Sequence, residues 1–400
     1  MQSGIRSALA QAFASCASSA LMGAAVAAPA SLSLTDAQQL AIERSPQMAA
    51  YDAAIAAARD LAAAPPQLPE TTRQIGIVPL PVEDADALSF GRDANPMRRI
   101  GAARELASPE QRKALTERYA READRAAAQK TATSVDIARE SALAWLECYY
   151  VEQMTRVAAD QLKFAQVEVD GAERMYWAGR LTQAEFYAMR SVLVSFEDKS
   201  GELEHRGRAA RIALKRWVGD AGDAPLAALP NIDRILLRPA ALEGDLTRHP
   251  EVGILEKQAD IAASDVRVAQ ADRQSPPEIA ATLAKRDEAR ATRDEKLRAE
   301  VAETRIRIEE WQHARDRRDR YARQLVSLAR ERTLATLVAY RGGKASLTDV
   351  LASRRAEAEA QMQSVEMQRE VARMWARINF ALPDALPTAS RAPSSEERAR

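Results

Sequence analysis

Cysteine is almost absent from this chain. Of 400 residues two are cysteines, Cys16 and Cys148. Cys16 falls in an amino-terminal stretch that reads as a leader, so one thiol remains and no intramolecular disulfide framework can form. Cys148 lies in an apolar helical stretch and is expected to act as a small buried hydrophobe. Histidine is equally sparse. His205, His249 and His313 sit in separate segments without metal-ligand spacing. Each is expected to be a solvated surface residue, and neither a metal nor a cofactor is expected. Aromatic residues reach only 5%, and Ala, Arg and Glu are abundant, a mixture typical of long helices. Neither sign of charge dominates: Lys and Arg total 57, as do Asp and Glu. With no basic tract carrying interleaved aromatics, nucleic acid is not an expected partner. Beyond the leader no run of 18 apolar residues occurs, so entry into a membrane would require a closed β-barrel. Nucleophile elbows, phosphate loops and paired-carboxylate pockets are also missing, and an enzyme is not expected.

The first 27 residues are expected to be a secretory signal. Arg6 gives the positive start, an Ala/Ser/Leu/Met stretch follows, and Ala25-Val26-Ala27 fits a small-x-small cleavage site. Phe13 stands where lipid attachment at Cys16 would call for an aliphatic residue, which argues against acylation there.

What the sequence does contain is an internal repeat. Tyr176-x-x-Gly179-Arg180 recurs as Tyr340-x-x-Gly343-Lys344, 164 residues later. The match continues without gaps through Thr182/Ser346, Glu185/Asp349 and Arg190/Arg354. A second pair, Arg44-Ser45-Pro46 and Arg248-His249-Pro250, is spaced by 204. The first half therefore carries about 40 residues that the second half lacks. Only Pro65 to Leu106 in that interval reads as something other than helix. A repeat of this length implies a duplicated supersecondary unit.

Punctuation along the chain places the elements. A helix is expected from Thr35 to about Ala64, stopped by Pro65-Pro66. The stretches 71–78 and 97–102 read as a β-hairpin with a long loop. Ser108-Pro109-Glu110 opens a helix that reaches about Trp177. In it Leu143, Tyr150, Val157 and Phe164 fall seven apart, a coiled-coil seam. Gly179 turns the chain, Thr182 caps a return helix to about Trp217, and a Pro/Leu-rich linker spans 218–243. In the second half a helix from about Asp245 to Gln274 meets Ser275-Pro276-Pro277-Glu278, which opens a densely charged helix to about Tyr340. Its run from Lys285 to Arg320 reads as a solvated face with i,i+4 pairing. Gly342-Gly343 make the turn and Ser346 caps the last helix. Leu347, Leu351, Ala358, Met362, Val365, Ala372 and Trp375 form its apolar stripe, and a Ser/Pro/Glu/Arg-rich tail from 384 is expected to be disordered. The fold class is mainly α: two long-helix hairpins, 28–217 and 244–383, with one β-hairpin insertion at about 71–106. Each half is one long helix against two shorter ones stacked in line.

These features carry a resemblance. The chain resembles the TolC-like outer-membrane efflux proteins, and among them the outer-membrane components of cobalt-zinc-cadmium (heavy-metal) efflux systems. The carriers are Leu34-Thr35-Asp36-Ala37 with Arg44-Ser45-Pro46, Val78-Pro79-Leu80-Pro81-Val82 with Met97-Arg98-Arg99-Ile100-Gly101, both Tyr-x-x-Gly turns, Leu347-Thr348-Asp349-Val350-Leu351, and Met374-Trp375-Ala376-Arg377-Ile378-Asn379. The resemblance implies a homotrimer whose helices form a periplasmic tube and whose strands form an outer-membrane barrel. It implies a periplasmic adaptor and an inner-membrane proton-driven pump as partners. Tyr176, Gly179, Arg180, Tyr340, Gly343 and Lys344 would then form the periplasmic tip that meets the adaptor. Glu185 and Asp349 would stand at an acidic constriction, although Ala352 occupies a position where such proteins can carry a further acid.

The chain departs from the pattern in one respect. The family has a strand pair in each half, whereas Gln274-Ser275-Pro276 here joins helix to helix. Three protomers would bring six strands, and eight already close a barrel that side chains fill. The alternatives are a channel component lacking half its strands, a protein acting beside a complete relative, or a barrel-less periplasmic coiled-coil protein or remnant.

Overall fold

The computed structural model describes residues 31–63, 72–78, 97–103 and 108–386. The expected signal peptide, the hairpin loop and the tail beyond 386 lie outside the described residues. The chain is mainly helical. It runs α1 (Leu34–Glu43), α2 (Pro46–Ala63), β1 (Thr72–Val78), β2 (Met97–Ala103), α3 (Pro109–Trp177) and α4 (Gln183–Val218). The second half runs α5 (Leu242–Leu246), α6 (Pro250–Ala271), α7 (Pro276–Arg320), α8 (Val326–Arg341) and α9 (Leu347–Asn379).

Helix starts follow the capping residues. Ser33, Ser108, Thr182, Ser275 and Ser346 each form a reciprocal capping box with the residue three positions on. Each box satisfies two backbone amides that the helix start leaves without partners. With Pro109 at its first position, α3 runs unbroken for 69 residues, about 100 Å at helical rise. α2 and α4 lie along α3, with α1 at its side, and α6 packs on α7 as α9 packs on α7 and α8. Contacts of α3 with α6 and α9 join the halves.

The helix expected over 35–64 is broken at Ser45–Pro46, and the one expected over 245–274 at His249–Pro250. Proline removes a backbone donor and its ring crowds the preceding turn, so both copies break at the same repeat position. The preceding arginine anchors each joint. Arg44 lies over Gly219 at the end of α4, where a Cβ would meet its guanidinium at 2.6 Å. Gly219 also has φ +66°, a conformation only glycine takes without strain. Arg248 pairs instead with Asp384, just past α9. Asp384 thus belongs to the ordered body, and Pro383–Ala385 forms a 3-10 turn where a disordered tail was expected.

The main core lies where α3, α4, α7 and α9 meet the segment 32–37 and the 218–243 connection. Trp145, Leu146, Leu214 and Leu246 are fully buried there. Such side chains each contribute about 1.5–3 kcal/mol on burial. The connection is more than a spacer, because Ile232 and Leu237 are buried in the same cluster. Two tryptophans of the cluster hold neighbouring backbone: Trp145 Nε1 donates to the Leu32 carbonyl at 3.0 Å, and Trp375 Nε1 to that of Arg234 within the connection at 2.8 Å. Leu32 in turn bridges to Leu226.

Three further expectations are corrected. Of the expected seam only Tyr150 is buried, and Phe164 is 56% exposed. The buried series of the same spacing is Val151, Ala158, Ala165 and Ala172, one position on, where small side chains let neighbouring helices approach. The charged run carries its own buried stripe, Glu300, Thr304, Ile308 and Trp311. The long second helix is interrupted by a π-helical turn at Tyr321–Leu325, which inserts a residue and re-phases α8 by about 100° relative to α7. Tyr321 donates its hydroxyl hydrogen bond to Gln363 of α9 there.

β1 and β2 pair antiparallel, from Thr72↔Ala103 to Val78↔Met97. Among the described residues they are the only strands, and between α6 and α7 the chain merely turns, with Arg273 at φ 53°. No described helix is long and apolar enough to cross a membrane.

Candidate functional site

The two Tyr-x-x-Gly segments fold into the same backbone turn. Gly179 and Gly343 have φ +69° and +66°. The amide of Gly179 donates to the Tyr176 carbonyl at 2.9 Å, and that of Arg180 to Met175 at 2.9 Å. Gly343 donates to Tyr340 at 3.0 Å and Lys344 to Ala339 at 2.8 Å. This is a Schellman closure, in which a left-handed residue lets two amides satisfy the last carbonyls of the helix. Among the described residues a Cβ at either glycine would meet nothing within 4 Å. The requirement for glycine is therefore conformational, and the turns stand open to solvent.

Both turns lie at one end of the molecule. A single apolar cluster joins Leu181, just past the first turn, to Leu347 and Leu351, just past the second. Tyr340 and Tyr176 pack on that cluster, and Tyr176 stacks on Phe186 with centroids 5.4 Å apart. A cavity of about 150 Å³ lies between the hairpins, lined by Gly171, Leu181, Tyr340 and Leu347. Arg180, Arg341 and Lys344 are exposed at the apex, so the end of the molecule presents several cations.

Glu185 and Asp349 each close a capping box. The Thr182 amide and hydroxyl donate to the Glu185 carboxylate at 2.9 and 2.7 Å. The Ser346 amide and hydroxyl do the same to Asp349 at 3.0 and 2.7 Å. These hydrogen bonds, the side-chain one first, hold both carboxyls below the usual range. Both are charged at neutral pH and turned toward their own helix starts. The arrangement can present fixed negative charge just past each cationic apex, and no paired-carboxylate geometry is formed.

Sequence reasoning missed the ties between the hairpins. Arg354 Nε of α9 donates to Glu168 of α3 at 3.0 Å, and Gln161 donates to Gln361 at 2.8 Å. Glu147 of α3 accepts from Arg206 of α4 and Arg369 of α9, each at 2.8 Å. It also missed His249, which packs against Glu300 and is not a surface residue; His205 and His313 are exposed as expected. Cys148 is buried. Among the described residues no group of three or more His, Cys, Asp or Glu is placed to hold a metal ion.

No protein-family model matches the chain, and no curated protein matches it in sequence. Solved structures do. The outer-membrane channel OprN superposes with a TM-score of 0.70 at 16% identity, covering 88% of this chain and 89% of that one. CusC, whose conformational changes accompany folding and transmembrane channel formation, gives 0.70 at 13% identity over 87% and 92%. The Vibrio cholerae outer membrane protein VceC gives 0.67 at 17% identity over 88% and 96%. At such identities the likeness establishes a shared fold.

Proposed function

We propose that the protein is the outer-membrane component of a tripartite efflux assembly, in a form that lacks half of the barrel strands. The observation that carries this reading is the pair of identical glycine turns placed together at one end of a body with the fold of outer-membrane channels. In a homotrimer six such turns would ring the periplasmic opening. Their exposed Arg180 and Lys344 would meet an acidic surface on a periplasmic adaptor, which couples to a proton-driven inner-membrane pump. The capped acids Glu185 and Asp349 would lie just behind that ring, where charge favours cations. Heavy-metal cations are the cargo class that the sequence resemblance supports. The role is transport without catalysis, and no cofactor enters it.

One observation favours a second reading, a barrel-less periplasmic protein that keeps trimerisation and adaptor binding. Only Asp272 to Ser275 join α6 to α7, and a hairpin of two strands is marginal by itself and leaves both edges unpaired. Fractionation separates the two. In the first reading the protein floats with outer membranes, and an unheated sample migrates differently from a boiled one. Recovery in the soluble periplasmic fraction, with unchanged capture by the adaptor, would replace the first reading by the second.

A further inference from the structure

The two glycine turns share a backbone but not a surface. On the first hairpin Trp177, the last residue of α3, is 77% exposed, and Tyr187 in the second turn of α4 is 55% exposed. They end a continuous row of rings. Trp177 meets Tyr176 edge-on with centroids 5.5 Å apart, Tyr176 stacks on Phe186 at 5.4 Å, and Phe186 contacts Tyr187 at 5.8 Å. Gln183 Nε2 donates to the Tyr187 hydroxyl at 3.3 Å. Tyr176 and Phe186 also pack on the buried cluster that joins the hairpins, so the row is fixed to the body. Its outer rings are held before any partner arrives, and little side-chain freedom is left to lose on binding.

The second hairpin lacks this row. At the repeat offset of 164, Arg341 stands for Trp177, Val350 for Phe186 and Leu351 for Tyr187. Val350 and Leu351 are buried, and Arg341 is exposed. The large exposed apolar residues of α8 nearest this turn, Leu334 and Val338, are aliphatic and lie before it. The tip is therefore aromatic on one hairpin and cationic on the other. Arg174 and Arg180 flank the rings, and Glu173 is an exposed acid one turn before Trp177.

Trp and Tyr inside a polar, charged rim are the composition of interface hot spots. The free faces of the two rings amount to roughly 250 Å². That is far below the roughly 800 Å² that each partner contributes to a stable pair, so the patch does not by itself hold two copies of this chain together. Repeated three times around one opening it approaches that area, and the partner that covers it is one that meets all three tips at once.

We propose that Trp177 and Tyr187 are the apolar anchor of the adaptor contact: they receive an apolar side chain at the end of the periplasmic adaptor, while acids of the same partner meet Arg180, Arg341 and Lys344. The inference rests on the efflux reading above and on its homotrimer. It makes the repeats unequal, the first supplying most of the affinity and the second the charge that steers encounter.

The periplasmic adaptors of the source cell, each purified, are titrated against the full chain in detergent. Trp177→Ala and Tyr187→Ala should each weaken capture at least about tenfold. Trp177→Phe should retain most of it, and Arg341→Ala, the repeat counterpart, should lose less than about threefold at physiological salt. Melting should stay close to that of the unmodified chain, because both rings are more than half exposed. Acrylamide should quench a tryptophan signal that is missing in Trp177→Phe, and bound adaptor should shield it. Capture by the unmodified chain, with Trp177→Ala no weaker than Arg341→Ala, would overturn the anchor and leave the efflux reading standing. Capture of no adaptor by the unmodified chain would overturn both. A Trp177 signal already shielded without adaptor would assign the patch to a second copy of this chain and likewise overturn the proposal.

Discussion

Arg354 of α9 and Glu168 of α3 bind across the two hairpins, with Nε 3.0 Å from the carboxylate and both side chains about a quarter exposed. Arg354 also stands 3.6 Å from Glu357, whose side chain is 9% exposed. Its counterpart in the first repeat, Arg190, is exposed. The duplicated sequence therefore makes an inter-hairpin tie in one copy only. Removing Glu168 breaks one partly exposed pair and should cost about 1 kcal/mol. Removing Arg354 also strips a buried carboxylate of its cation and should cost about 2 kcal/mol. Denaturant unfolding of Glu168→Ala, Arg354→Ala and the double variant checks the order, and equal costs would show that Glu357 does not use the guanidinium.

Gly179→Val and Gly343→Val place a β-branched residue at positive φ. The left-handed conformation costs about 1–2 kcal/mol for a residue with a Cβ, and no neighbour within 4 Å adds a clash. Global stability should fall modestly, while the local turn rearranges. Capture by a periplasmic adaptor, measured by cross-linking through Lys344, should drop far more than the melting temperature. Unchanged capture with visibly altered turns would remove the tip from the contact surface.

Cys148 is 1% exposed, and burial pushes its thiol up to about 11. Reaction needs the thiolate, so both access and ionisation are withheld. In the folded protein Cys148 should resist an aromatic disulfide reagent at pH 8, and denaturant should make it reactive. Rapid labelling without denaturant would show that the core around Trp145 opens locally.

Expressed alone, the chain should neither conduct ions across a planar bilayer nor restore metal resistance to a strain without its outer-membrane component. In a trimer the described strands would number six, fewer than the eight that already close around filled side chains. An unclosed sheet would also leave backbone groups unpaired in lipid. Inserting about 40 residues of strand, loop and strand after Gln274 should restore the missing pair, and with it a conducting channel. A conductance of open-duct size from the unmodified chain would overturn the strand count.

The sequence by itself determined where most elements begin and turn. Ser108-Pro109, Ser275-Pro276, Thr182 and Ser346 mark helix starts because a cap binds amides within one turn of itself. The glycine turns are equally local, and so is the hairpin at 72–78 and 97–103. The breaks at Pro46 and Pro250 are less legible, because each proline stands inside an otherwise helical pattern. Only the tertiary structure decided which faces are buried and which charges meet. Trp145 finds its acceptor 113 residues away, and Arg354 finds Glu168 at a separation of 186. Periodicity gave the seven-residue spacing of the α3 seam but could not choose Val151, Ala158, Ala165 and Ala172 over the larger residues beside them. That choice depends on how closely α4 and α9 approach. His249 looked like any surface histidine for the same reason: its partner sits on another helix, and burial against Glu300 is a property of the packed assembly of helices.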